Sequence, residues 1–452
     1  MPVARGTCGS RLCRRTPAHR SCGGVGYVFV RGWFELISPP RNGVRARQTK
    51  DCMPATAFLR RLFACAVLGA LVGCQPEPPL PLDQQLYIWQ RQWRPVHAQA
   101  LAESRADFST LRVLALQAQP NAGWSRALVD LEQLKADGRP AIAVVRLDGQ
   151  LPALDLEAAR TQIAQLLADW QAFGVPLGGL EIDHDSGNVR LPGYADFLLK
   201  LREQLPPGLK LSITALPAWL DSPHLPALLQ AVDSSVLQVH AVSDPRRGLF
   251  DPLLARQWAE QWSRVSEKPF YIALPAYGVA LLPDAGGAPV VESEVPLDLA
   301  GERRELLADP QQLLDLGRQL RNQPPTHLAG LIWFRLPLPG DRRAWSLATL
   351  KAVARGDELA SQWQVETAGR DGLYDITLAN VGNLDLPLPA RVELKTDACD
   401  AADGLNGYRL QQSPQHLVFN RQSSARVAAG GRRVLGWARC PGIDQGAWNV
   451  YP

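Results

Sequence analysis

Residues 178–185 read Gly178-Gly179-Leu180-Glu181-Ile182-Asp183-His184-Asp185. The stretch opens on glycines and an apolar residue and closes on acids at every second position. Side chains alternate faces along a strand, so Glu181, Asp183 and Asp185 share one face while Ile182 and His184 take the other. Three acids on one face repel one another. Repulsion and burial together are expected to raise at least one pKa, which is how a carboxyl stays protonated as a general acid. The bland alternative is a solvated loop end or a salt-bridged cluster with Arg146, Arg335 or Lys210 as partners.

Working outward, the chain repeats one pattern from Leu86. An apolar run ends in polar residues and an amphipathic stretch follows. The strand candidates are Leu86–Trp89, Leu111–Gln117, Ala141–Leu147, Leu177–Asp183, Lys210–Leu216, Val236–Ala241, Phe270–Pro275 and Ala329–Leu336. Between them, Ile163, Leu166, Leu167 and Trp170 recur at helical spacing, as do Tyr194, Phe197, Leu198 and Leu201. The last helix is Trp345 to Arg355. Near-continuous apolar strands belong to a parallel sheet covered on both faces, and eight strand–helix units over residues 85–355 match the size of a (β/α)8 barrel, the TIM barrel. Its active residues gather at the carboxyl ends of the strands. A doubly wound open sheet is the rival, but the glycine-rich turn after its first strand is absent. Residues 361–452 read as a small all-β, sandwich-like domain. Its strand candidates are Gln364–Glu366, Tyr374–Ala379, Arg391–Leu394, Leu417–Phe419 and Val434–Ala438, with turns at Asn380-Val381-Gly382-Asn383 and Gly430-Gly431.

The N-terminal part has a different character. The chain of 452 residues has two methionines, Met1 and Met53, and both can start translation. Residues 1–52 carry a charge of +8 and four of the eight cysteines, and they read as an upstream extension that is not made. Residues 53–73 have the layout of a secretory signal: Arg60-Arg61, then the apolar run Leu62 to Val72. That run is too short to span a bilayer as a helix. Leu71-Val72-Gly73-Cys74 resembles the bacterial lipobox, in which the cysteine is acylated, so Cys74 is the expected lipidation site. Residues 74–84 hold Pro76, Pro78, Pro79 and Pro81 and form an extended tether. Gln75 after the cysteine favours the outer membrane, by resemblance to sorting in Gram-negative lipoproteins, with the protein facing the periplasm. The total charge of +4, less +8 for residues 1–52 and +2 for Arg60-Arg61, leaves −6 on the 379 residues from Cys74 to Pro452. The electrostatic argument for nucleic acid disappears with the basic segment. Cys399 and Cys440 can pair in an oxidising periplasm. No metal-ligand cysteine cluster survives, and neither a metal nor a cofactor is expected.

The strand-4 motif resembles the Asp-Gly-x-Asp-x-Asp-x-Glu signature of family 18 glycoside hydrolases, the chitinase-like barrels. Glu181 falls on its second Asp, Asp183 on its third and Asp185 on its acid-catalyst Glu. Lys268-Pro269-Phe270-Tyr271-Ile272-Ala273-Leu274-Pro275-Ala276-Tyr277-Gly278 resembles a late-barrel signature of the same family. Leu211 to Ala218 is similar to its fifth strand. Gly330-Leu331-Ile332-Trp333-Phe334 is similar to its eighth, where an aromatic residue floors the sugar pocket. The resemblance runs along the whole barrel. The same layout resembles an uncharacterised bacterial lipoprotein family described only as a domain of unknown function. The chain departs from the family's pattern beyond the Glu181-for-Asp exchange. Gly178 stands for the first Asp, and Asp185 is one methylene shorter than Glu. His240-Ala241-Val242 replaces a sixth-strand Met-x-Tyr whose tyrosine positions an acetamido group.

The resemblance implies a glycoside hydrolase-like protein with a glycan as substrate or ligand. Asp185 would be the acid, Asp183 the stabiliser, and Glu181 would tune both. A non-catalytic glycan-binding lipoprotein on the same barrel, or an envelope protein whose β-domain docks a partner, are the other classes. Trp89, Trp219, Tyr277 and Trp333 lie near strand ends and could stack on sugar rings, or simply be core. His240 could orient Asp183 or Asp185. Asp148 could bind sugar hydroxyls or cap the next helix. The long segment Val279 to Glu305, with Gly286-Gly287, Glu292 and Glu294, suggests a lid or cleft wall. Membrane contact is expected through the N-terminal lipid alone. The sequence names no protein partner.

Overall fold

A computed structural model of the chain describes residues 81–240, 248–282, 290–292, 302–396 and 399–452. The upstream extension, the signal segment, Cys74, most of the tether, Ala241-Val242, Gly286-Gly287 and Glu294 lie outside the described residues.

Eight strands form the barrel: β1 (Asp83–Ile88), β2 (Thr110–Gln119), β3 (Ala141–Leu147), β4 (Leu177–His184), β5 (Lys210–Ala215), β6 (Ser234–Gln238), β7 (Phe270–Pro275) and β8 (Leu328–Phe334). Each is parallel to its neighbours, and β1 pairs with both β2 and β8, which closes the sheet. The helices are α1 (Val96–Ser104), α2 (Leu131–Asp137), α3 (Leu156–Phe173), α4 (Leu191–Arg202), α5 (Leu225–Gln230), α6 (Pro252–Val265), α7 (Pro310–Asn322) and α8 (Leu347–Arg355).

Local chemistry sets the helix ends. Asp130, Asp155, Asp251 and Asp309 each accept a backbone N–H at the start of α2, α3, α6 and α7, and Ser346 does so for α8. Gly138, Gly174 and Gly356 take the left-handed conformation that ends α2, α3 and α8. The two faces of each strand then meet different surroundings. Outward residues such as Leu86, Ile88, Val113, Val145, Ile182 and Ile213 join the helices in one large core. Inward residues Tyr87, Leu114, Val144, Val236, Ala273 and Ile332 fill the barrel.

The strand Gly123–Arg126 folds back antiparallel on the end of β2. After β7, Gly278–Leu282 pairs antiparallel with both Val290–Glu292 and Arg304–Leu307. The buried Glu292 carboxylate takes Arg303 and Arg343, and Arg343 also pairs with Glu305. This ion network fastens the described part of the segment to the loop after β8.

The C-terminal domain packs two four-stranded antiparallel sheets face to face. One runs in the order Trp363–Arg370, Leu373–Asn380, Arg432–Arg439, Ala401–Gly404, and the other Tyr408–Ser413, His416–Arg421, Arg391–Lys395, Trp448–Tyr451. Val365, Ile376 and Leu435 from the first sheet meet Val392, Leu417 and Phe419 from the second. A disulfide joins Cys399 to Cys440 across 41 residues. In the chain-entropy treatment, closing such a loop adds roughly 2–4 kcal/mol. Asp385 joins this domain to the barrel: its carboxylate accepts the N–H of Ser346 at 2.6 Å, the hydroxyl of Thr349 at 3.0 Å and the N–H of Ala429 at 2.9 Å.

Candidate active site at the barrel mouth

The inward face of β4 carries Glu181 and Asp183, and Asp185 follows just past its end, so the three acids stand at three heights. Glu181 lies deepest and has no solvent exposure. Its carboxylate pairs with the Arg112 guanidinium of β2 and accepts the Tyr87 hydroxyl at 2.6 Å and the Ser212 hydroxyl at 3.2 Å. Arg112 also donates to Gln85 Oε1 at 2.8 Å and stands over the Tyr271 ring at 5.2 Å. A charge placed so deep needs a partner, and this network supplies one. Burial, reinforced by the Glu181 charge, holds the Tyr87 pKa well above its usual value, so Tyr87 remains a donor to that carboxylate.

Asp183 comes next and is almost fully buried. Thr214 of β5 donates to its Oδ1 at 2.5 Å, and Arg146 Nη1 lies 3.6 Å from its Oδ2. Burial raises its pKa to about 6. Arg146 and the Thr214 hydrogen bond oppose that rise, while Asp185 and Glu181 add to it. Asp185, at the rim, has a side chain 46% exposed, with Oδ2 3.7 Å from Arg146 Nη2. One guanidinium thus stands between the two upper carboxylates. A test of this balance is Thr214→Val, which removes a hydrogen bond to the ionised form. The Asp183 titration, followed by carboxyl carbon NMR, should move upward from about 6. A downward shift would mean that the hydroxyl does not favour the ionised carboxylate.

Aromatic rings line the mouth along β1, β8 and the end of β7. Trp89 lies edge-on to Tyr87 at 5.8 Å and 5.2 Å from Phe334, whose ring is 5.3 Å from both Tyr277 and His240. Arg146 stands 5.9 Å from the Trp89 ring.

The predicted site residues fall into two groups. Asp183, Asp185, Trp89, Tyr277 and His240 come together at the mouth. His240 does not orient either acid: its Nδ1 meets the Tyr277 hydroxyl at 3.3 Å, and burial lowers its pKa to about 4, so the ring is neutral. Asp148 holds the turn after β3 by accepting the N–H of Gln150 at 2.8 Å. Trp219 and Trp333 depart from the expectation, since both are fully buried. Trp333 faces the helices, donating to Gln84 Oε1 at 2.8 Å and lying 6.3 Å from Trp345. Alternation along β8 puts Phe334, its neighbour, at the mouth instead. Trp219 sits in a short helical turn after β5 and donates to the Ser186 carbonyl at 2.7 Å. Of the partners considered for the acid cluster, Arg146 serves Asp183 and Asp185, while Arg335 pairs with Asp341 at 3.0 Å.

Arg112, Tyr87, Thr214 and Phe334 carry the site but are not evident from the motif. Arg112 had a signal, because a charge in the middle of an apolar inner strand demands an opposite charge nearby. Among the described residues, no group of three or more His, Cys, Asp or Glu could hold a metal ion. A groove of about 1060 Å³ runs between the barrel and the β-domain, lined in part by Glu305, Trp345, Asp385 and Arg421. The β4 acids do not line it, and the chemistry of the mouth argues for the mouth as the site.

Residues 137–339 match the family model of a Domain of unknown function (DUF3142), and residues 363–441 match that of another Domain of unknown function (DUF8456). No curated protein matches the chain. Among solved structures, the chain is similar to the Bacillus cereus spore cortex-lytic enzyme SleL, at 13% identity and a TM-score of 0.47 over 61% of this chain and 74% of that one. It is also similar to a Chromobacterium violaceum chitinase, at 15% identity and a TM-score of 0.40 over 61% and 98% of the two chains. A tamarind chitinase-like lectin is similar at 14% identity and a TM-score of 0.37, over 61% and 99%.

Proposed function

We propose that the chain is a lipid-anchored, glycoside hydrolase-like protein of the bacterial envelope, acting on a glycan at the barrel mouth. The observation that carries this reading is the pair Asp183 and Asp185. They lie two residues apart at the end of β4, share Arg146, and stand at a mouth lined by Trp89, Phe334 and Tyr277. Aromatic faces suit the apolar faces of sugar rings, and carboxylates suit their hydroxyls and glycosidic oxygens. In this reading Asp185, the exposed acid, gives its proton to the glycosidic oxygen as the bond from the anomeric carbon breaks. Asp183, set deeper, supports an acetamido group or a water that completes the substitution. Glu181 touches no substrate and acts through the charge it places beneath Asp183.

A second reading, glycan binding without cleavage, is favoured by one observation. The Arg146 guanidinium lies between both carboxylates, a pairing that a binding site tolerates and a proton donor must break. Incubation of the full chain with a polysaccharide panel separates the readings. New reducing ends support hydrolysis, retention without new ends supports binding, and neither result refutes both. The anchor rests on Arg60-Arg61, the apolar run and Cys74. Palmitate labelling that persists in Cys74→Ser would remove it.

A further inference from the structure

Parallel pairing aligns Gln117 of β2 with Arg146 of β3, and Arg146 with Asp183 of β4. Paired residues on neighbouring strands point to the same side, so the three side chains form one inward row across the mouth. A bulge between Leu114 and Leu116 puts Gln117 there and sends its neighbours Leu116 and Ala118 into the outer core. Gln117 is 4% exposed, and its Oε1 is buried with no hydrogen-bond partner among the described residues. A buried acceptor left unpaired costs about 1–3 kcal/mol, so an unpaired acceptor in this inward row invites a donor from a ligand. Next to it, Arg146 lies at ion-pair distance from two carboxylates, 3.6 and 3.7 Å, too far to hydrogen-bond either.

We propose that Gln117 and Arg146 together read a free hydroxyl of the bound sugar, and that the site therefore takes a neutral hexose glycan. This rests on the glycan reading above. The pair offers an acceptor beside donors. A hydroxyl answers both with one atom, donating to Gln117 Oε1 and accepting from the guanidinium. A carboxylate only accepts and leaves Oε1 unpaired. An ammonium only donates and is repelled by Arg146. An acetamido group offers both functions on separate atoms, but its bulk does not suit an amide so nearly enclosed. Gln117 is thus a specificity-determining residue in the inward row of the mouth.

The test is calorimetric binding of the full chain to β-1,4-linked gluco-, manno- and galactohexaose and to chitohexaose. The best neutral hexaose is expected to bind about tenfold more tightly than chitohexaose. Gln117→Leu should lose most of that preference, about tenfold for one lost hydrogen bond. Gln117→Met, of similar length but without the amide acceptor, should lose the preference in the same way. Tighter binding of chitohexaose, or a Gln117→Leu protein that keeps the preference, overturns the hydroxyl reading and leaves the glycan function standing. If Gln117→Leu does not fold, a preference kept in Gln117→Met overturns it instead. Binding to none of the four overturns the glycan function and this inference with it.

Discussion

Asp185→Asn should lower the rate of any glycan cleavage by the chain at least about a hundredfold, the lower range for loss of a general acid. Glycan affinity should stay within a few-fold of the parent. Asparagine has the shape of aspartate but no acidic proton to give, so the step that needs a proton on the glycosidic oxygen fails. The fold should tolerate the change, because the side chain is 46% exposed and its only ion pair among the described residues is with Arg146 at 3.7 Å. Exposed pairs of this kind contribute about 0–1 kcal/mol. A second readout follows from the charge removed. Asp185 helps raise the Asp183 pKa, so in the variant Asp183 should titrate below about 6. A purely structural role for Asp185 would not shift that titration and remove turnover together. A variant that retains full turnover identifies another proton donor. Affinity lost without any turnover in the parent would make Asp185 a binding residue of a non-catalytic site.

The barrel was legible because its strands meet apolar surroundings on both faces. Ala141–Leu147 and Phe270–Pro275 read from sequence to the residue. The first strand begins at Asp83, before the apolar run from Leu86, because Asp83 and Gln85 are polar residues at the foot of the barrel and carry no hydrophobic signal. The β-domain was legible only where it is buried. Tyr408–Ser413 has one buried residue in six, so the strand is invisible to a pattern that looks for apolar runs. The acids of β4 were legible because alternation is a strict period. The same strictness explains Trp333. A shift of one residue exchanges inside for outside, and a Trp-Phe pair gives no sign of which ring is turned inward. Arg146 and Gln117 lie on neighbouring strands. Their place in one row with Asp183 depends on register, and on a bulge in β2 that nothing in residues 110–119 announces.

The largest stability change should come from the foot of the site. Arg112→Met is expected to destabilise the barrel by about 3–5 kcal/mol, because it leaves the Glu181 charge buried and unpaired. Tyr87 and Ser212 would still donate to Glu181, but two neutral hydrogen bonds do not replace a guanidinium. Methionine fills much of the arginine volume and faces Tyr271, over whose ring Arg112 stands, so lost packing is a minor part of the cost. Pairing the change with Glu181→Gln discriminates charge from packing. The double variant should recover much of the loss, since a buried ion pair replaced on both sides is often close to neutral. Urea unfolding of the parent, both single variants and the double variant gives the coupling directly. An additive double variant would mean that Arg112 supports the barrel by filling space rather than by neutralising Glu181. Even then Glu181→Gln should lower the Asp183 titration, because the Glu181 charge helps to raise it.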